Sequence, residues 1–275
     1  MQYKMEKSIS RENNKLIVYK MNHPRVVSDF LRAIYDGTKR GYNMFNIVVP
    51  NHTIAVYPNA CLPIAAIMEY YKSEGIEFVF SIDEDCYLKN CGFMEPVILS
   101  SEDISKLNNP FDKIVKYADS AQVASFTQKC VDYISHHAIC ENGILESLTW
   151  CINEVMDNVL LHSKSSYGYV LAQFHEASKH IAICVADTGI GIYNSLKTSK
   201  HRPTTAIDSL SLAIQEGIGD GQGQGNGLFG LYQIIAANGG SLSITSGPAS
   251  LMLNSKKQLL KFDNLPFVSK DRHCT

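Results

Sequence analysis

Apolar residues recur along this chain with two periods, one of strands and one of helices. Leu16, Ile17, Val18 and Tyr19 form a strand-like run within 15–20. From Pro24 onward, Val26, Val27, Phe30, Leu31 and Ile34 share one face of a helix, and Gly41 ends that unit. Phe45 to Val49 is a second strand, stopped by Pro50. Ile64, Ile67, Met68 and Tyr71 predict a helix from about Pro63 to Ser73, with Gly75 as its stop signal. A third strand covers 76–80, and a short helix from Asp83 ends at Cys91-Gly92-Phe93. Strands alternating with helices of this length imply a small α/β domain over 1–98.

The stretch from Pro96 to Pro110 is polar and loop-like, so a linker is expected over 99–120 and a second domain over 121–275. Helical patterns cover 111–137 and 143–162, separated by a turn at Cys140-Glu141-Asn142-Gly143. Strands follow near 169–175 and 180–186, then a long segment to Gly227. A helix from Leu228 to Ala237 ends at Asn238-Gly239-Gly240, and strands are expected at 241–245, 250–253 and 259–262. No internal repeat is visible.

Composition narrows the function classes. The 275 residues are 45% hydrophobic and 19% charged, with a net charge of -2. This balance argues against a mainly electrostatic nucleic-acid or membrane surface. The start, Met1 to Lys7, lacks the apolar core of a signal peptide. No apolar run approaches the ~20 residues that span a bilayer. The eight cysteines are scattered without a CxxC pair, which disfavours a zinc site and suggests reduced thiols in the cytoplasm.

Three motifs carry candidate chemistry. On the 143–162 helix, Leu145, Leu148, Ile152, Val155 and Val159 make the expected core stripe. Glu154, Asn158 and His162 fall on an adjacent flank at i, i+4 and i+8. An amide oxygen there is a hard ligand suited to Mg²⁺, and a carboxylate can orient or deprotonate water against a phosphate. An exposed flank of ordinary polar pairs is the plain alternative. Asp187 ends an apolar strand and opens Asp187-Thr188-Gly189-Ile190-Gly191. A buried carboxylate there could accept from an adenine amino group, or the motif could be a simple turn. Gly223-Gln224-Gly225-Asn226-Gly227 precedes the Leu228 helix, where free amides and the helix N-terminus would favour an anion. A loose glycine loop is the alternative.

In this order, the motifs over about 110–262 resemble those of the GHKL ATPase superfamily: Glu154 and Asn158 its N box, Asp187 to Gly191 its first glycine box, Gly223 to Gly230 its second. The resemblance implies a Bergerat-type α/β sandwich, a mixed sheet with helices on one face. It implies Mg-ATP binding with Asn158 on Mg²⁺, Asp187 on adenine, and Gly189, Gly191, Gly223, Gly225, Gly227 and Leu228 lining the nucleotide. Residues 193–226 would be a lid. The acid at 154 resembles the hydrolysing members and the anti-sigma-factor serine kinases, and His162 four residues after Asn158 resembles the serine-kinase branch. A slow ATPase switch is the leading expectation, with a serine/threonine protein kinase or a non-catalytic nucleotide-sensing scaffold as alternatives. Family members commonly end in Gly-Thr and a further strand, and the run after Phe262 departs from that. Residues 45–93 resemble STAS domains, although Ala60 and Cys61 stand where STAS antagonists carry a phosphorylatable serine. Together these imply a regulatory protein partner, allow a homodimer, and predict neither nucleic-acid nor membrane binding.

Overall fold

The computed structural model describes residues 8–50, 54–221 and 225–263. Its first sheet has the order β1 (Ile9–Glu12), β2 (Lys15–Val18), β3 (Met44–Val48), β4 (Glu77–Ser81). β1 and β2 are an antiparallel hairpin, while β2, β3 and β4 run parallel. Parallel neighbours need crossovers, supplied by α1 (Arg25–Lys39) and α2 (Pro58–Ser73). α1 buries Val26, Phe30, Leu31 and Ile34, the face its spacing predicts. α2 starts five residues before the expected Pro63. Pro58 takes the first-turn position, where a missing N–H costs nothing. Pro63 sits inside the helix, a position that removes a backbone hydrogen bond. Complete burial of Ala60, Cys61 and Leu62 offsets that loss.

After α3 (Tyr87–Asn90) the chain departs from expectation. The stretch expected as a loop forms β5 (Val97–Ile98) and α4 (Ser101–Ser105), the latter capped by the Ser100 hydroxyl accepting from the Asp103 amide. The start of the expected 111–137 helix is instead a strand, β6 (Ile114–Tyr117). α5 (Ser120–His137) begins only after Asp119, whose carboxylate and the Gln122 side chain cap it reciprocally. α6 (Ile144–His162), β7 (Gly168–His175) and β8 (His180–Asp187) follow. The second sheet has the order β5-β6-β7-β8, antiparallel except for β5 beside β6.

Both faces of the second sheet are covered, not one as expected. Val115, Tyr117, Val170, Ala172, Ile181, Ile183 and Val185 pack with α5 and α6. The alternate residues Ile114, Tyr169, Leu171, Cys184 and Ala186 join the core of the first sheet and α2. α2 therefore lies against β7 and β8. It is buried around most of its circumference, as a helix apolar on all sides must be.

α7 (Gly191–Leu196), α8 (Ala206–Ala213) and α9 (Gly227–Ala237) lead into β9 (Leu242–Ser246), β10 (Ala249–Leu253) and β11 (Leu259–Phe262). These strands form a separate antiparallel sheet of order β11-β10-β9. A single mixed sheet was expected. A small core of Leu210, Ile214, Ala249 and Leu251 ties this sheet to α8 instead. The chain is thus a mixed α/β protein. The altered segment after Phe262 lies, from residue 264, outside the described residues. No helix among the described residues is long and apolar enough to cross a membrane.

Candidate functional site

α6 buries Cys151, Ile152, Met156 and Val159. Met156 takes the fully buried place expected for Val155, which is half-buried. The flank beside this stripe carries Trp150, Glu154, Asn158 and His162 at four-residue intervals, so their side chains line up along the helix.

α9 lies on that flank. A Cβ on Gly227 would stand 1.7 Å from Glu154 Oε1, and one on Gly230 would stand 2.5 Å from the Trp150 ring. Three residues forward on α9 match four backward on α6, so the helices run antiparallel in close contact. The Glu154 carboxylate consequently sits at the N-terminus of α9, the end that favours negative charge. The same register carries the segment before α9 toward Asn158 and His162. Asp220 on that segment accepts from His162 Nδ1 at 2.8 Å and from Ser195 Oγ at 2.9 Å. The Asn226 side chain accepts from the Gly217 amide at 2.9 Å. Gly225, at φ +68, folds so tightly on Ile218 that a Cβ would lie 2.7 Å from its carbonyl carbon. Leu228 is half-buried in the first turn of α9. Gly223 lies outside the described residues.

Between Glu154 and His162, the Asn158 Nδ2 atom is buried and finds no hydrogen-bond acceptor among the described residues. Such a group costs on the order of 1–3 kcal/mol. Asp187, 6% exposed, ends β8 two residues after Val185, and strand alternation turns both toward α6. Its carboxylate accepts from the Gly189 amide at 2.7 Å. Gly189 rests on the end of α6, where a Cβ would meet the Ser163 carbonyl oxygen at 2.1 Å. The Ile190 amide donates to that carbonyl at 2.7 Å. Gly191, at φ +72, then begins α7, and the Ile192 amide donates to Ser246 Oγ. The glycines of this turn thus fit it against α6 and launch α7.

Carboxylates crowd this region. Burial, and next the charge of Asp157, hold the Glu154 carboxyl above its ordinary value, while His162 pulls the other way. Burial raises Asp157 as well. The Tyr117 phenol is pushed up by burial and then by the charges of Asp187 and Asp157. Its hydroxyl donates to the Met156 carbonyl at 3.1 Å. Asp157 and Tyr117 were not singled out in the sequence, although Asp157 stands one helical turn from Glu154.

Beside the end of α6 opens a cleft of about 280 Å³, lined by His162, Lys164, Ile190, Asn194, Ser195 and Asp220 among others. No sequence motif marks Ser195 or Asp220. Among the described residues no group of three or more His, Cys, Asp or Glu is placed to hold a metal ion. Comparison with protein-family models, curated proteins and solved structures found no match for the chain.

Proposed function

We propose that the face formed by α6, the turn after β8 and the N-terminus of α9 binds Mg-ATP, hydrolyses it slowly and acts as a regulatory switch. The observation that carries this is Asn158: its Nδ2 atom is buried without an acceptor among the described residues, one helical turn from Glu154 and one from His162 on α6. Such an amide offers a hard oxygen to a cation and an N–H to a phosphate. Glu154, with its proton affinity raised, is suited to orient or deprotonate a water. Asp187, buried on the helix-facing side, would accept from the adenine amino group. Glu154, Asp157 and Asp187 repel a bare triphosphate, so nucleotide binding should require Mg²⁺, held by Asn158 with phosphates and water. The segment 193–226 would respond to the nucleotide. This assigns residues 121–275 a GHKL-like role and residues 1–98 a STAS-like regulatory role toward a protein partner. Burial of Ala60 and Cys61 inside α2 leaves no phosphoacceptor there.

The test combines equilibrium binding of ATP, with and without Mg²⁺, and release of phosphate from γ-labelled ATP. Wild type should bind only with Mg²⁺, Asn158→Ala should lose binding, and Glu154→Ala should bind without release. Failure of the wild type to bind ATP overturns the proposal. Binding without release by the wild type removes hydrolysis and leaves phosphotransfer to a partner or nucleotide sensing.

A further inference from the structure

We infer that Asp220 is an intramolecular stand-in for an anionic ligand: its carboxylate fills a site for a phosphate group that His162 and Ser195 form, and the ligand must displace it. Two donors from separate elements, the end of α6 and α7, converge on one oxygen of this side chain at 2.8 and 2.9 Å. A carboxylate only accepts, so the imidazole donates from Nδ1 and the serine donates its hydroxyl. That pair of donors equally suits a phosphate oxygen. The carboxylate is largely enclosed, with 11% of its side chain exposed. Lys164 lines the same cleft and makes no ion pair among the described residues. The site therefore offers one cation beyond what Asp220 uses, and a phosphate carries more charge than a carboxylate to use it.

Glycines in open space stand on both sides of Asp220. Gly217 and Gly221 both take positive φ, and a Cβ on either would meet nothing within 4 Å. Gly219 adjoins Asp220 on the other side. This short run is held by the polar bonds of Asp220, by that of Asn226 to Gly217, and by the backbone of Gly225 against Ile218 and Gly219. A ligand phosphate that took over His162 and Ser195 would release it. The identification of that phosphate with the end of a nucleotide rests on the function proposed above; the internal competition does not.

The experiment compares wild type, Asp220→Asn and Asp220→Ala as full chains, with tripolyphosphate in excess Mg²⁺ and Mg-ATP as separate probes. Hydrogen exchange at amides 217–221 is followed alongside. Both variants should bind tripolyphosphate about tenfold more tightly, as expected when an occluded fraction of ~90% is relieved. Exchange at 217–221 should quicken without ligand, and adding His162→Gln should abolish the affinity gain. Tighter tripolyphosphate binding with no ATP binding would support the stand-in and sink the nucleotide function. ATP bound equally by all three proteins would overturn the stand-in and leave the nucleotide function in place. Binding of neither probe by any of them, or unchanged exchange at 217–221 in a folded variant, would also overturn it.

Discussion

Two glycine-to-alanine changes, at Gly189 and Gly227, separate packing that cannot yield from packing that can. Gly227 touches the flank of α6 and Gly189 its C-terminal end, and both have a hypothetical Cβ far inside contact distance. At Gly189 the obstacle is backbone: the Ser163 carbonyl oxygen at 2.1 Å and its carbonyl carbon at 2.7 Å. That carbonyl also accepts from the Ile190 amide, so moving it breaks a bond. Overpacking costs about 1–3 kcal/mol, and the weakened hydrogen bond about 1 kcal/mol. Gly189→Ala should therefore lose about 2–4 kcal/mol, or on the order of 10 °C in Tm. At Gly227 the obstacle is the far end of the Glu154 side chain, which can rotate away. Alanine also favours the helix over glycine by about 0.5–1 kcal/mol. Gly227→Ala should change stability by under ~1 kcal/mol while driving Glu154 off the N-terminus of α9. Urea unfolding followed by far-ultraviolet circular dichroism measures both. Gly189→Ala within ~0.5 kcal/mol of wild type, or Gly227→Ala losing as much as Gly189→Ala, would refute the geometry.

Glu154→Gln should stabilise the fold increasingly as pH rises above the ordinary carboxylate value of 4.5. Burial and Asp157 hold the folded-state value above the ordinary 4.5, so the stability gained by protonation is present below the unfolded value and lost as pH rises through the folded one. Thermal unfolding over rising pH should show the variant's advantage growing, and an advantage equally large at every pH would count against the assigned burial. Tyr117→Phe should cost about 1 kcal/mol through the lost bond to the Met156 carbonyl. It should appear as a lower urea midpoint at constant slope, and an unchanged midpoint would show that this buried hydroxyl contributes nothing.

The regular elements were legible because their apolar periods were clean: α1, β7, β8, α9 and β11 lie within a residue or so of where the pattern puts them. β6 was hidden because Ile114, Val115 and Tyr117 satisfy both periods. The Asp119 and Gln122 box that divides strand from helix was present in the sequence but is only four residues long. β5 has two residues and exists through its pairing with β6. The second covering of the β5–β8 sheet had a signal that periodicity alone does not weigh. Ala60 to Met68 is apolar on every side, and such a helix needs neighbours on every side. Within the candidate site, the flank of α6 and the placement of Asp187 followed from helix and strand periods. Asp220 and Ser195 did not, since they meet His162 or each other across 58 and 25 residues of chain. No local pattern encodes such a meeting.

The position of α2 bears on how the two parts of the chain could communicate. Ala186 packs into the core shared with α2, and the next residue, Asp187, faces α6. A displacement of α2 against β8 therefore reaches the candidate site within one residue of strand, without a long path of side chains. Polar bonds tie the same seam. The Gln173 side-chain amide donates to the Val56 carbonyl and to the Tyr87 hydroxyl, which itself donates to Asp112. Gln173 is buried with its amide oxygen unmatched among the described residues, so the seam holds an unsatisfied polar atom within an apolar core. Coupling between distant sites needs an element with two arrangements that both sites bias. Gln173 pairs with Ala182, five residues along β8 from Asp187, so the direct contact of α2 with Ala186 is the shorter link between the first sheet and Asp187.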